Sequence, residues 1–212
     1  GGVYGLTKAK LRERTEWVLE MAGLQGRERS LTKTLPGGWK QRLALGCATL
    51  HEPPILFLDE PTSGVDPVSR RNFWELISNL SEQGVTILVT THYLDEAEYC
   101  NDITLINAGR LIAGGGPKEL KMKHIIYPIL EVEATDVVTA MEVLRVQPWV
   151  VEISLFGTYL HVGVEEEVFG RELITSTLAS QGIQIKRMER IVPSLEDVFL
   201  HLLEQDAKLR AA

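Results

Sequence analysis

One segment of the 212-residue chain reads Ile55-Leu56-Phe57-Leu58-Asp59-Glu60, four apolar residues followed directly by two acids. A short apolar run of this kind is typical of a strand that is buried on both faces of a parallel sheet. A helical stretch, Pro67–Gln83, separates it from a second apolar run, Val85–Val89. Two such strands joined by one helix form a right-handed βαβ crossover, so the sequence predicts neighbouring parallel strands and an α/β fold.

Polar side chains follow both predicted strands at the point where each strand ends. Asp59 and Glu60 come directly after the first strand, and His92 follows closely after the second. Ligands of open α/β sheets bind outside the carboxyl ends of the strands, and neighbouring strands lie about 4.8 Å apart. The two acids and the histidine are therefore expected at one sheet edge. That arrangement suits Mg²⁺-assisted phosphoryl chemistry, in which one carboxylate holds the metal through water and the next orients or deprotonates the attacking water.

An Asp-Glu pair is also found wherever a strand simply ends in a polar loop, so the pair alone does not decide the function. The residues that follow, Pro61–Pro67, are typical of a tight turn and include Ser63, Gly64 and Asp66. Such a turn is expected to hold several backbone N–H groups and the Asp66 carboxylate near the acids. The flanking turn therefore favours a phosphate-handling site over a plain loop.

A pair of glycines opens a second predicted helix, which runs to about Leu50. The segment reads Leu35-Pro36-Gly37-Gly38-Trp39. Glycines let a backbone approach an anion closely, and a helix N-terminus supplies unpaired N–H donors and a partial positive charge. The alternative interpretation is a glycine-rich helix start that binds no ligand.

These motifs resemble, in order and spacing, those of the ATP-binding cassette (ABC) transporter ATPases. Ile55–Glu60 resembles the Walker B strand of that family, Ser63-Gly64-Val65-Asp66 resembles its D-loop, and His92 resembles its switch histidine. The resemblance implies an ATPase in which Asp59 binds Mg²⁺, Glu60 is the catalytic base and His92 contacts the γ-phosphate of ATP.

The segment Leu35–Trp39 occupies the place of the family's signature, usually Leu-Ser-Gly-Gly-Gln, and departs from it twice. Pro36 replaces a serine whose hydroxyl would bond the γ-phosphate, and proline has no N–H either. Trp39 replaces glutamine and is expected to stack on another surface or to pack. Phosphate contact would then rest on the backbone amides from Gly38 onward. The residues expected to contact ATP are Pro36, Gly37, Gly38, Trp39, Ser63, Gly64 and Asp66.

The sequence contains no phosphate-binding loop of the form G-x-x-x-x-G-K-[ST]. Gly114-Gly115-Gly116-Pro117-Lys118 follows a predicted hairpin and is interpreted as a linker. In the family, ATP lies between the P-loop of one subunit and the signature of its partner. The resemblance therefore implies that Walker A, the adenine-stacking aromatic residue and the Q-loop would lie upstream of Gly1. The chain by itself is expected not to hydrolyse ATP.

Residues 125–212 follow the order βαββαβ, which predicts a small ferredoxin-like α+β domain after a partial ABC domain over residues 1–124. A last helix is predicted over Ser194–Leu203. The run Val192–Leu200 is similar to one at the C-terminus of exporter-type ABC ATPases. The helix carries an apolar stripe that is more typical of core than of a docking surface, made of Leu195, Val198, Phe199 and Leu202.

The net charge, the cysteines and the lengths of the apolar runs exclude several classes of protein. The formal net charge of −7 disfavours a nucleic-acid binder or an anionic-membrane binder. Cys47 and Cys100 are isolated thiols, which suggests a reducing compartment. No apolar run approaches the ~20 residues of a membrane helix, and no signal peptide is visible. His124, His161 and His201 have no ligand-like spacing, so a metal site is not expected at these histidines.

Three functions are consistent with the sequence. The leading hypothesis is the ATP-binding subunit of a bacterial exporter, which uses ATP and Mg²⁺ and is cytoplasmic and peripheral on the inner face of the plasma membrane. Its partners would be an integral membrane permease and a second ABC ATPase domain, identical or paralogous. A soluble ABC ATPase acting on nucleic acid or the ribosome would favour long heptad arms or a basic insertion, and neither occurs. The third is a regulatory or dimerisation module that uses residues 125–212.

Overall fold

The computed structural model describes residues 1–211. These residues fall into two compact units, of which the first spans Gly1–Tyr93 and the second begins at Leu94. This division by contacts lies earlier than the domain boundary predicted after residue 124. The difference arises because residues from Ala97 onward share an apolar core with the last helix of the chain.

The helices of the first unit are α1 (Lys8–Met21), α2 (Gly37–Thr49) and α3 (Pro67–Glu82). Thr7 caps α1, because its hydroxyl oxygen accepts a hydrogen bond from the Lys10 backbone N–H at 3.3 Å. Of the three, α3 has the clearest apolar face, and the residues that it buries are Phe73, Trp74, Ile77 and Leu80.

The strands β1 (Ile55–Asp59) and β2 (Thr86–Thr90) pair in parallel, with α3 between them in the chain. The predicted βαβ arrangement is therefore confirmed. The prediction that both faces would be buried is wrong, since Ile55, Phe57 and Leu88 share one face and are 52%, 72% and 58% exposed. Within residues 1–211 the two strands pair only with each other, and no element covers this face.

The second unit opens with a short helix and a hairpin. The helix α4 (Leu94–Ala97) leads into the antiparallel strands β3 (Ile103–Asn107) and β4 (Arg110–Gly115). The hairpin turns at Ala108-Gly109, and both residues have positive φ angles, 46° and 75°.

The interpretation of Gly114–Lys118 as a linker is wrong, because the segment ends one element and begins another. Gly115 is the last residue of β4 and pairs with Ile103. Pro117 is the first residue of α5, which spans Pro117–His124. Proline suits this position, since the first N–H of a helix has no intrahelical partner to lose.

A four-stranded antiparallel sheet follows, in the strand order β6-β7-β5-β8. Its elements are β5 (Ile129–Ala134), α6 (Val137–Arg145), β6 (Val150–Phe156), β7 (Tyr159–Val164), α7 (Glu167–Ser180) and β8 (Ile185–Ile191). The predicted ferredoxin-like order is confirmed. The final helix, α8 (Leu195–Ala211), is longer than the helix predicted over Ser194–Leu203. Neither α8 nor another helix in the described part of the chain combines the length and apolarity that crossing a bilayer requires.

Two apolar cores hold the second unit together. One lies between the sheet and the helices α6 and α7. The other joins α8 to the hairpin and to α5, and its buried members are Ala97, Ile103, Leu105, Leu120, Ile125, Ile129, Leu195, Val198 and Leu202. Three residues of the predicted α8 stripe are among them, which confirms that the stripe is core. This second core accounts for the early division between the units.

Candidate functional site

The carboxyl ends of β1 and β2 join an acid to a threonine. Asp59 and Thr90 are partners in the parallel register. The Thr90 hydroxyl donates a hydrogen bond to Oδ1 of Asp59. The Glu60 backbone N–H donates to the Thr90 carbonyl oxygen at 3.0 Å and to the Thr90 hydroxyl oxygen at 3.2 Å. The loop that follows β1 is therefore tied to the last residue of β2.

Glu60 and His92 face each other just beyond these strand ends. Nδ1 of His92 lies 3.3 Å from Oε1 of Glu60, and the two side chains are 54% and 50% exposed. The structure thus brings Asp59, Glu60 and His92 to one sheet edge that solvent reaches. A carboxylate beside an imidazole at such an edge can accept a proton from a water molecule and hold it.

Glu60 adopts a left-handed backbone conformation, with a φ angle of 41°. Residues other than glycine rarely adopt this conformation, which costs about 1–3 kcal/mol and is concentrated at active sites. Ala108 in the hairpin turn has a similar φ angle of 46°, so the strain supports a functional role for Glu60 only together with its approach to His92.

The oxygen donors at this edge decide whether a Mg²⁺ ion fits it. Residues 1–211 contain no group of three or more His, Cys, Asp or Glu side chains placed to hold a metal. In nucleotide sites, however, Mg²⁺ usually keeps several waters and binds one or two carboxylates together with substrate phosphates. The exposed carboxylate of Asp59 fits that kind of shared site.

The loop after Glu60 folds as two consecutive turns. The Ser63 N–H donates to the Glu60 carbonyl oxygen and the Val65 N–H to the Thr62 carbonyl oxygen, each at 3.1 Å. Gly64 has a φ angle of 71°, which glycine adopts without strain. Ser63 and Gly64 are exposed at the tip of the loop.

Asp66 ends this loop as the N-cap of α3. Its Oδ1 accepts hydrogen bonds from the backbone N–H groups of Val68 and Ser69, at 3.1 and 3.0 Å. These bonds, with that from Ser69 the largest, lower the pKa of the Asp66 carboxyl. The carboxylate that was expected near Asp59 and Glu60 thus binds the N-terminus of α3.

The N-terminus of α2 begins with one open glycine and one enclosed glycine. Its N-cap residue, Pro36, contributes no side-chain hydrogen bond. A Cβ atom added at Gly37 would meet no atom within 4 Å. A Cβ atom added at Gly38 would lie 2.5 Å from Cβ and 2.6 Å from Oγ of Ser69. Gly38 therefore lets α2 approach α3, whereas Gly37 leaves backbone open to a ligand.

Trp39 anchors the start of α2 to the core of the first unit. Its ring packs against the buried cluster of Ala22, Leu24 and Leu35. The guanidinium of Arg27 lies over the same ring, 4.4 Å from the centroid. The tryptophan in the place of the family's glutamine therefore both packs and stacks.

Comparison with known proteins covers both units. The family described as ABC transporter matches residues 6–63, and the family described as ATP-binding protein DrrA1-3-like, C-terminal domain, matches residues 115–203. The Nod factor export ATP-binding protein I of Cupriavidus metallidurans is 34% identical over 209 residues, which are 98% of this chain and 66% of that protein. The chain belongs to the ABC transporter ATP-binding family.

Other ABC proteins match shorter parts of the chain. The probable multidrug ABC transporter ATP-binding protein YbhF of Escherichia coli is 54% identical over 120 residues, 57% of this chain and 21% of that protein. A solved structure of cbiO1 from Clostridium perfringens, part of the ABC transporter complex cbiONQ, is 32% identical with a TM-score of 0.51. The aligned region covers 56% of this chain and 48% of the cbiO1 chain. The chain thus spans between 21% and 66% of the length of these ABC relatives.

In this ABC protein, β1 is the strand that resembles Walker B, and the D-loop-like turn runs into α3. The structure brings Asp59 and Glu60, at the end of β1, to the same sheet edge as the switch-like His92. It places the signature-like start of α2 against Ser69 of α3 through Gly38. The two glycines of the signature-like segment therefore differ in what surrounds them.

Thr90 and Ser69 were not identified from the sequence as neighbours of the candidate site residues. A signal for Thr90 was present, because a hydroxyl residue that ends the second strand lies beside the acid that ends the first when the strand ends are aligned. Ser69 had no such signal. Its proximity to Gly38 depends on how two helices pack, and no local pattern encodes that.

Proposed function

We propose that the full-length protein containing this chain is the ATP-binding subunit of an ABC exporter, which hydrolyses ATP to drive transport across a membrane. The observation that carries the proposal is the 3.3 Å approach of Glu60 and His92 at the sheet edge that ends in Asp59. The match to a protein named for multidrug transport supports a transport function, and the match to one named for Nod factor export supports its direction.

Each side chain at the edge has a distinct proposed role. Glu60 accepts a proton on its carboxylate from the attacking water. His92 holds the Glu60 carboxylate through Nδ1 and contacts the γ-phosphate, and Asp59 contributes a carboxylate oxygen to Mg²⁺. When bound, Mg²⁺ and ATP supply the electrophilic phosphorus and the positive charge that stabilises its oxygens.

A second part of the proposal concerns the ATP molecule held by a partner ABC domain. The uncapped N-terminus of α2 presents backbone N–H groups and a partial positive charge, which suit a γ-phosphate. Gly37 offers the open backbone for this contact, while Gly38 and Trp39 position it through their packing. The remaining proposed contacts are Pro36, Ser63, Gly64 and Asp66.

The proposed partners follow from the same reaction. A second ABC ATPase domain, identical or paralogous, would supply the P-loop face of each nucleotide site. An integral membrane permease would couple hydrolysis to export, with the subunit cytoplasmic and peripheral on the inner face of the plasma membrane. No nucleic-acid partner is proposed, since the net charge of the chain is −7.

Substitution of the proposed base tests the function. Glu60→Gln in the full-length protein removes the base while nearly preserving its shape. ATP turnover is expected to fall about 10²–10⁴-fold with ATP binding kept, and ATP should then trap a stable dimer. The matched control is Glu75→Gln, at an exposed acid on α3. Turnover that is equally high in both variants would remove Glu60 from the mechanism.

A further inference from the structure

The hydroxyl of Thr90 is bonded to both of the consecutive acids at the end of β1. It donates to the Asp59 carboxylate and accepts from the Glu60 backbone N–H. The carbonyl oxygen of Thr90 accepts from the same N–H. One residue of β2 therefore contacts the side chain of the first acid and the main chain of the second.

The bonds at Glu60 hold a backbone conformation that is otherwise unfavourable. A left-handed non-glycine residue persists only where its surroundings fix it. The Glu60 N–H has two acceptors, at 3.0 and 3.2 Å, and both belong to Thr90. These contacts set the direction in which the chain leaves β1, and hence where the Glu60 side chain meets His92.

The bond at Asp59 has a different effect. This carboxylate is exposed, so solvent alone would leave its orientation variable. The Thr90 hydroxyl engages Oδ1 and thereby restricts the rotation of the carboxylate. A hydroxyl that donates to a carboxylate in this way orients it for a metal.

Another threonine on the same strand supplies an internal comparison. Thr86 lies on the same face of β2 as Thr90, is also exposed, and stands opposite Ile55 instead of an acid. A preference of strands for threonine would apply to both positions. Only Thr90 places its hydroxyl between the two acids.

We propose that Thr90 is a positioning residue, whose hydroxyl orients the Asp59 carboxylate and fixes the backbone of Glu60. Its effect on ATP hydrolysis rests on the function proposed above, whereas its effect on the geometry of the two acids does not. The hydroxyl is the operative group. Valine, which has the same shape without the hydroxyl, should therefore fail where serine succeeds.

The test compares Thr90→Val, Thr90→Ser and the matched control Thr86→Val in the full-length protein. For Thr90→Val, kcat is expected to fall and the Mg²⁺ concentration for half-maximal rate to rise, each about 10–100-fold. KM for ATP should stay near the wild-type value, because Thr90 does not hold the nucleotide. Thr90→Ser and Thr86→Val should behave like the wild type.

A second measurement reads the geometry without nucleotide or metal. Amide hydrogen exchange of Glu60, followed by NMR, should be faster in Thr90→Val and unchanged in Thr90→Ser and Thr86→Val. A Thr90→Val protein with wild-type kcat, Mg²⁺ dependence and exchange would overturn the proposal, and so would a Thr90→Ser protein as impaired as Thr90→Val. If the wild type itself hydrolyses no ATP, the proposed function fails, and the exchange rates alone decide the positioning role.

Discussion

Among the described residues, acid–histidine contacts lie both at a solvent-exposed strand edge, the open pair, and in a buried position, the closed pair. At the end of β1, Glu60 and His92 approach at 3.3 Å with both side chains about half exposed. In the second unit, Nδ1 of His161 lies 2.7 Å from Oδ1 of Asp197, whose side chain is 4% exposed, and Nε2 lies 3.5 Å from Oε2 of Glu131. The Glu60–His92 pair is open to solvent, whereas the His161–Asp197 pair is buried and closer.

A second group of polar side chains lies beside the closed pair. The Tyr127 hydroxyl donates to Oε2 of Glu152 at 2.5 Å, and Nδ1 of His201 lies 2.9 Å from the same oxygen. Burial and the hydrogen bond to Glu152 raise the pKa of Tyr127. The groups in this part of the second unit serve as one another's partners, which fastens α8 to the sheet.

The contrast shows what separates a site from a structural network. Buried polar groups that satisfy one another stabilise a fold, and removing one of them leaves another unpaired. Polar groups left accessible at the carboxyl edge of a parallel pair remain available to a ligand. Exposure, more than the presence of an acid–histidine pair, therefore marks the edge of β1 and β2 as the candidate site.

The largest expected effect tests the contrast directly. His161→Ala in the full-length protein leaves Asp197 buried without its imidazole partner, so the free energy of unfolding should fall by about 3–5 kcal/mol. The matched variant is His92→Ala, which removes an exposed imidazole and should change the unfolding free energy by no more than ~0.5 kcal/mol. Denaturant unfolding measures both. Equal stability of the two variants would show that the closed pair is not structural.

The two glycines at the start of α2, Gly37 and Gly38, show the same contrast between an open and an enclosed position. Gly38→Ala places a methyl carbon 2.5 Å from Cβ of Ser69 and should cost about 1–3 kcal/mol of unfolding free energy. Ser69→Gly removes both clashing atoms, so Gly38→Ala should cost less in a Ser69→Gly background than in the wild type. Gly37→Ala, in open space, is the control and should be neutral or slightly stabilising. A Gly38→Ala protein as stable as Gly37→Ala would disprove the close approach of α2 and α3.

Gly37→Asp then tests the signature assignment without the packing effect. An acid at a helix N-terminus stabilises by up to ~1 kcal/mol, so thermal stability should hold or rise. If the Gly37 amide faces a partner's γ-phosphate, the same negative charge should strongly reduce ATP turnover. A fully active Gly37→Asp enzyme would contradict the assignment of this segment as the signature.

The smallest expected effect concerns acid pH at the closed pair. Burial alone would raise the pKa of Asp197, but the hydrogen bonds from His161 and Ser194 outweigh it and lower the pKa. Its contribution to stability is therefore present above the unfolded pKa, near 3.9, and is lost as the pH falls through the folded value. In that window the unfolding free energy of Asp197→Asn should fall less steeply than that of the wild type. The control is Asp102→Asn, at an exposed acid of the same unit. If the unfolding free energy of Asp197→Asn depends on pH with the same slope as that of the wild type, the lowered pKa of Asp197 is contradicted.

The parts of the molecule that sequence reasoning could predict are those with local patterns. The strands β1 and β2 follow from their apolar runs, and the approach of Glu60 to His92 follows from parallel pairing. The division after Tyr93 could not be predicted, because it depends on Leu120 and Leu195 sharing a core across a long stretch of chain.

Side-chain partners were predictable only where the backbone register decides them. Thr90 lies opposite Asp59 by register, so its role was within reach of the sequence. His161 and Asp197 are 36 positions apart and belong to a strand and a helix, so no spacing marks them as partners. The sequence showed His161 as an isolated histidine, and only the fold supplies the carboxylates beside it.

The apolar face of the β1–β2 pair has a consequence for how these residues behave in concentrated solution. Ile55, Phe57 and Leu88 form an uncovered strip on a pair of strands. Exposed apolar strands attract further strands and other apolar surfaces, which makes them centres of aggregation. A partner or further element that covers the strip is therefore expected to raise the solubility of any preparation that contains these residues.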